Sequence, residues 1–80
     1  MDKSTILEKI TPVFEEILDI EKINLKEENV ASDLPNWDSL NNIRLMVALE
    51  EELSIKFDMH EINSLANVGE LIDVIIKKLK

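Results

Sequence analysis

One glycine and two prolines in eighty residues leave almost no places where this chain can break a helix. That scarcity is its tightest fold constraint, because glycine and proline are the strongest punctuators of turns and hairpins. Between them, apolar side chains recur at intervals of three and four, the spacing that lines one side of an α-helix. The chain is expected to be all-α: a small bundle of three main helices plus a short fourth. Its length allows one domain, residues 1–80, and no second core. A chain this short buries only about 60% of the surface its unfolded form exposes, so modest stability is expected. Seventeen Asp and Glu against nine Lys and Arg leave a net charge of −8. Self-repulsion then opposes compaction further.

The first helix is predicted from about Ser4 to Ile20, with Thr5 and Glu8 as a capping box. Ile6, Ile10, Val13, Phe14, Ile17 and Leu18 form its apolar stripe. Pro12 interrupts that stripe, which predicts a kink or two short helices meeting near Thr11. Residues Glu21 to Asn36 read as a long loop, with Ile23, Leu25, Val30 and Leu34 tacking it to the core. A connector that long in so small a domain is often functional. The second helix is predicted over Ser39–Leu53, with Asp38 as N-cap accepting from the amide of Leu40 or Asn41. A short third helix should run from Met59 to about Ser64, capped by Asp58 and Glu61. The fourth starts after Asn67, with Glu70 three residues on, and carries Val68, Leu71, Ile72, Ile75, Ile76 and Leu79 on one side. Lys77, Lys78 and Lys80 place positive charge at its negative end.

The second helix holds two apolar stripes. At roughly 100° per residue, Leu45, Met46, Leu49 and Leu53 share one sector. Leu40, Ile43 and Val47 fall in an adjoining one, flanked by Glu50 and Glu51. Two readings stay open: a central helix packed on two sides, or a partly exposed apolar strip with an acidic rim, suited to docking a partner helix.

The acidic balance argues against nucleic acid or an anionic membrane as partner, since both need a basic surface, and favours proteins with basic patches. The chain has no cysteine, hence no disulfide and no thiol nucleophile or Cys-based metal site. The stretch Met1–Leu7 lacks the basic start and apolar core of a signal peptide, and no apolar run approaches a membrane span. A soluble, cytoplasmic monomer is expected.

The stretch Trp37-Asp38-Ser39-Leu40, leading into a helix that ends Ala48-Leu49-Glu50-Glu51-Glu52-Leu53, resembles the attachment site of the acyl carrier protein family. Asp33-Leu34 ahead of it, Ile55-Lys56-Phe57 after it, and Asn67-Val68-Gly69-Glu70-Leu71 at the last helix all resemble that family's pattern, in order. The resemblance covers almost the whole chain. It implies that Ser39, flanked by Asp38 and Leu40, receives 4′-phosphopantetheine from coenzyme A through a phosphopantetheinyl transferase. It also implies a carrier, not an enzyme. The arm would hold an acyl or aminoacyl thioester and present it to loading ligases or transferases and to downstream synthases. Fatty-acid, polyketide or related specialised biosynthesis would be the setting. Leu40, Ile43, Arg44, Val47, Glu50 and Glu51 would form the partner-docking face. The physics agrees: a helix N-terminus presents free amides and partial positive charge, a suitable seat for a phosphodiester. Taken alone, the tripeptide would read as an ordinary capping serine.

The sequence departs from many fatty-acid carriers, which are acidic where Asn41 and Arg44 stand here. Those two residues, with Trp37 and Thr11-Pro12-Val13-Phe14, look more like discrete carriers of specialised pathways. His60, the sole histidine, invites a Ser-His-Asp reading with Ser39 and Asp38, but no glycine-rich elbow or oxyanion hole accompanies it. Glu50, Glu51 and Glu52 read as a solvated helix face, with no calcium-loop pattern, so no metal site is expected. Trp37 reads as a packing residue, with contact to the arm or cargo as the second possibility. A long alkyl cargo would slip among Leu45, Met46, Leu49, Ile62 and the last helix. The alternative to the carrier is an acidic helical interaction adaptor with no prosthetic group.

Overall fold

The computed structural model describes residues 2–79. They form helix α1 (Lys3–Leu18), a 3-10 turn (Ala31–Asp33), α2 (Ser39–Leu53), α3 (Met59–Asn63) and α4 (Val68–Leu79). Helix α1 packs on both α2 and α4, and α3 rests on α2. The core takes Ile6, Ile10, Phe14 and Leu18 from α1, Leu45, Met46 and Leu49 from α2, and Val68, Leu71, Ile72 and Ile75 from α4. Loop residues Ile23, Leu25, Ile55 and Phe57 complete it, with Ile62 of α3. Among the described residues no polar or charged side chain is buried, so removal of apolar surface from water is what holds the bundle together.

Helix α1 departs from expectation in three ways. It starts at Lys3 and ends at Leu18 rather than Ile20. Its cap is not a Thr5–Glu8 box: the Asp2 carboxylate accepts the Thr5 amide at 2.8 Å, one turn earlier. Thr5 therefore lies inside the first turn, too late to cap it. Nor does Pro12 split the helix, which runs unbroken through it. Pro12 lies on the exposed side, so the carbonyl left without an amide partner is within reach of water. Ile10 and Phe14, fully buried on either side, hold the two halves in line, and the Thr11 hydroxyl donates to the Leu7 carbonyl at 2.7 Å.

The helix then closes without glycine. Asp19 takes the left-handed conformation (φ 56°), and the Asp19 and Ile20 amides turn back to the Glu16 and Glu15 carbonyls. Two such bonds around a left-handed residue satisfy the last free carbonyls. Ser54 (φ 56°) closes α2 the same way, with the Ile55 amide donating to the Glu50 carbonyl at 3.1 Å.

The connector between α1 and α2 holds the 3-10 turn where only loop was expected. Asp33 builds it, its carboxylate accepting the Val30 amide at 2.9 Å. Ile23 and Leu25 are buried as anticipated, while Val30 and Leu34 are only half-buried. The loop also starts α4, because the Glu27 and Asn29 carbonyls accept the Gly69 and Val68 amides at 2.8 and 2.9 Å. The single glycine sits at that close approach: a Cβ on Gly69 would lie 3.3 Å from the Glu27 oxygen. Asn67 caps Glu70 at 2.9 Å, and the Asp58–Glu61 box on α3 forms as predicted, although α3 stops at Asn63. The stripe of α4 is buried only through Ile75. Ile76 is half-buried and Leu79 exposed, and Lys80 lies outside the described residues.

Since Pro12 costs α1 a hydrogen bond at an exposed position, Pro12→Ala should raise stability by about 1–3 kcal/mol. Urea unfolding would measure it, and a lower midpoint would mean that the ring contributes packing of its own.

Candidate functional site

The turn that enters α2 is tied down on every side except at Ser39. Trp37 packs edge-on against Phe14, ring centroids 5.2 Å apart and planes at 89°, which anchors the turn on α1. Its indole N–H donates to the Asn42 Oδ1 at 3.0 Å. Asn36, in the left-handed region (φ 67°) that asparagine tolerates, donates from Nδ2 to the Leu18 carbonyl at 2.8 Å. Asn41 in turn donates its amide side chain to the Asn36 carbonyl at 2.8 Å. Asp38 caps α2 as expected, accepting from the Asn41 amide rather than that of Leu40, at 2.9 Å. The Asp38 carbonyl takes the Asn42 amide at 2.8 Å, the first bond of the helix ladder. Ser39 follows directly, exposed, on a helix end whose leading amides point outward.

Beside Ser39 opens a cleft of about 420 Å³. Ser39, Asn42 and Ile43 line it from α2, Ile62 and Asn63 from α3, and Leu65, Ala66, Asn67 and Leu71 from the approach to α4 and α4 itself. Trp37, Asp38 and Ala31 close the near end. Trp37 packs on Phe14 as expected and also lines the cleft. Of the residues expected to receive an alkyl cargo, Ile62 and, from the last helix, Leu71 line this space; Leu45, Met46 and Leu49 are sealed in the core at 0% exposure. Asn42, Asn63 and Leu65 were not picked out from sequence, because nothing in apolar periodicity marks a polar residue that faces a cleft.

The two-stripe question is resolved by burial. Leu45, Met46 and Leu49 face inward, whereas Leu40, Ile43 and Val47 are 67%, 46% and 48% exposed. Arg44 stands exposed on the same outer side, its guanidinium donating to the Asn41 Oδ1 at 3.3 Å. The expected acidic rim is thinner than the sequence suggested. Glu51 is exposed, but Glu50 is half-buried, its Oε2 accepting the Phe57 amide at 2.7 Å and bracing the loop to α3. Met59 on α3 is a further exposed apolar side chain, at 63%.

Helix α3, the outer wall of the cleft, is held by few polar contacts. The Asn42 Nδ2 donates to the Ile62 carbonyl at a long 3.5 Å. Glu61 pairs with Lys78 of α4 at 2.8 Å while accepting the Asp58 amide. The Lys78 ammonium also lies 5.8 Å from the centre of the Phe57 ring. The hydrogen bond from Lys78, aided by the Asp58 amide, holds the Glu61 carboxyl below the usual range. His60 is exposed on this helix. Among the described residues no three acidic or histidine side chains are grouped to hold a metal ion, and no helix is long and apolar enough to cross a membrane.

Comparison with known proteins gives a consistent family. Residues 8–75 match the family model described as a phosphopantetheine attachment site. An acyl carrier protein of Thermosynechococcus vestitus is 36% identical over 81 residues, covering 99% of this chain and 98% of that one. One from Cyanidium caldarium is 35% identical over 78 residues, covering 96% and 90%. Among solved structures, the holo acyl carrier protein of Geobacter metallireducens, determined by NMR, superposes with a TM-score of 0.84 at 42% identity, covering 91% of this chain and 84% of that one. The crystal structure of an acyl carrier protein from Thermotoga maritima gives 0.84 at 29% identity, covering 99% and 92%. The all-α fold expected from the sequence is the fold these neighbours share.

The hold on α3 carries a pH dependence with a definite sign. A carboxyl lowered in the folded state adds stability that is present above its unfolded pKa and is lost as pH falls through the folded value. Glu61→Gln should therefore lower the urea midpoint at neutral pH. The gap to wild type should close as the pH drops below the carboxylate range. A gap that persists in acid would assign the loss to packing instead.

Proposed function

Because the chain belongs to the acyl carrier protein family, we propose that Ser39 is the residue to which its 4′-phosphopantetheine is attached. One observation carries this reading: Ser39 offers an exposed hydroxyl on the first turn of α2, at the end of a turn pinned by Trp37, Asn36 and Asp38. The residues fit the group. The outward amides and positive end of α2 suit a phosphodiester, and the adjoining cleft mixes apolar walls with the side-chain amides of Asn42, Asn63 and Asn67 for an amide-bearing arm. In the attachment step the Ser39 oxygen forms a phosphodiester with the arm's phosphorus. The pyrophosphate link of coenzyme A breaks, and adenosine 3′,5′-bisphosphate leaves. The hydroxyl proton passes to a base of the transferase, since the one carboxylate beside Ser39 in sequence, that of Asp38, is engaged as the helix cap by the Asn41 amide. When bound, the arm supplies a thiol that holds an acyl or aminoacyl group as a thioester. With no cysteine in the chain, no side-chain thiol competes for that group.

The protein is a carrier and not an enzyme, and family membership implies a phosphopantetheinyl transferase and acyl-handling synthases as partners. We read residues 1–80 as one carrier domain, monomeric and cytoplasmic. It serves fatty-acid, polyketide or related specialised biosynthesis, with a loading ligase or transferase among its partners. Leu40, Ile43 and Val47 supply the apolar centre of its docking face, with Glu51 acidic and Arg44 basic at the edge and Glu50 behind them as a brace. Arg44 on that face matches a partner bearing an acid opposite it, by charge complementarity.

Incubation with coenzyme A, magnesium and a broad-specificity phosphopantetheinyl transferase, followed by intact mass, tests the attachment. Wild type should gain one phosphopantetheinyl group and Ser39→Ala none. No gain on wild type, in a tube where a known carrier is modified, would leave the exposed strip as the working part and favour an adaptor. In the same assay Val47→Glu should lower kcat/KM for the carrier by roughly tenfold, the cost of losing one central interface contact, with its helical circular dichroism unchanged. An unaltered kcat/KM would remove Val47 from the docking face.

A further inference from the structure

Asn42 occupies a singular place on α2. Leu45 and Met46 lie three and four residues beyond it, so all three share one side of the helix. Leu45, Met46 and Leu49 on that side are apolar and fully buried, while Asn42, at the end nearest Ser39, is polar, half-buried and part of the cleft lining. A cargo that leaves Ser39 and turns into the bundle along this side meets Asn42 first.

Both ends of its amide are engaged. Oδ1 takes the Trp37 indole N–H at 3.0 Å, and Trp37 is itself fixed on Phe14. Nδ2 reaches across the cleft to the Ile62 carbonyl at 3.5 Å, the weaker of the two bonds. The side chain is thus tethered firmly on the Trp37 side and loosely on the α3 side. An alkyl chain that pushed it aside would leave an indole donor and a carbonyl acceptor facing hydrocarbon, which is unfavourable for both. A cargo with its own hydroxyl can donate to the Ile62 carbonyl and accept from the Nδ2 it displaces, so neither group is left without a partner.

We propose that Asn42 sets the class of cargo this carrier shelters: a short, hydrogen-bonding acyl group enters the cleft, and a long alkyl chain is kept out of the bundle. The proposal rests on attachment at Ser39 and goes beyond it by naming the cargo class and the residue that selects it. Asn42 acts here by position and hydrogen bonding, with no part in forming or breaking the thioester.

The test loads wild type and Asn42→Leu with either a hydroxybutyryl or a decanoyl group, supplied as the corresponding acyl-coenzyme A to the transferase, and checks loading by intact mass. Proton–nitrogen and methyl spectra are then compared with those of the protein carrying the free-thiol arm. In wild type the hydroxybutyryl group should shift the Asn42 side-chain amide, the Trp37 indole and Ile62. The decanoyl group should leave the Leu45, Met46 and Leu49 methyls unmoved. In Asn42→Leu the decanoyl group should shift those methyls. Movement of the Met46 and Leu49 methyls by decanoyl in wild type would overturn the proposal, as would a hydroxybutyryl group that leaves Asn42 and Trp37 unshifted. These wild-type comparisons stand even where the leucine variant does not fold. Absence of a mass gain on wild type would overturn the Ser39 reading itself, so the two failures are separable.

Discussion

The rotation of α2 about its own axis is the constraint from which the rest of the molecule follows. Leu45, Met46 and Leu49 are fully buried in the core that α1 and α4 share. That core contains no polar side chain among the described residues, so only one rotation of α2 keeps it dry. Once those three residues point inward, Leu40, Ile43 and Val47 must point outward, since they share the same helix at a fixed angular offset. A strip of exposed apolar surface is thus a geometric consequence of packing the opposite side. In a domain this small, no fourth long helix is available to cover it.

Around that fixed helix the molecule divides into a rigid approach and a loosely held wall. The approach is over-determined: Trp37 on Phe14, Asn36 on the end of α1, and Asp38 and Asn41 across the cap all act within six residues of one another. Those contacts fix where Ser39 points while leaving it open to solvent. The wall is α3, five residues long, joined by one long hydrogen bond, one ion pair and the burial of Ile62. A helix that short has little stability of its own and keeps its shape through its neighbours. The cleft between these two parts inherits one firm side and one yielding side.

The pattern of misreadings in α1 and α2 has a physical cause. Pro12 breaks a helix in isolation, and in the bundle it does not, because Ile10 and Phe14 are clamped and the lost bond faces water. Thr5 and Glu8 have the spacing of a capping box, yet Asp2 reaches the Thr5 amide first. Glu50 has the angular position of a rim acid, yet its carboxylate turns to the Phe57 amide, seven residues on, after the chain has reversed. At α1's start two local caps compete and the earlier one wins. At Pro12 and Glu50 a local preference meets a partner supplied by another part of the chain, which sequence spacing does not show.

Sequence by itself determined the four α-helices and the place of Ser39 at the start of the second. Helical periodicity and a single glycine dictate an all-α chain. Asp38 before an amphipathic run marks the start of α2, and Ser39 on its first turn follows from that alone, since capping and periodicity are local and act over three or four residues. Tertiary structure decided what those positions face. Which stripe of α2 is buried, that Asn42 bridges Trp37 to α3, and that Glu61 meets Lys78 all depend on residues brought together from distant parts of the chain. Such contacts arise only when burial of the apolar faces sets the helices against one another, and no local pattern encodes where a neighbouring helix will lie.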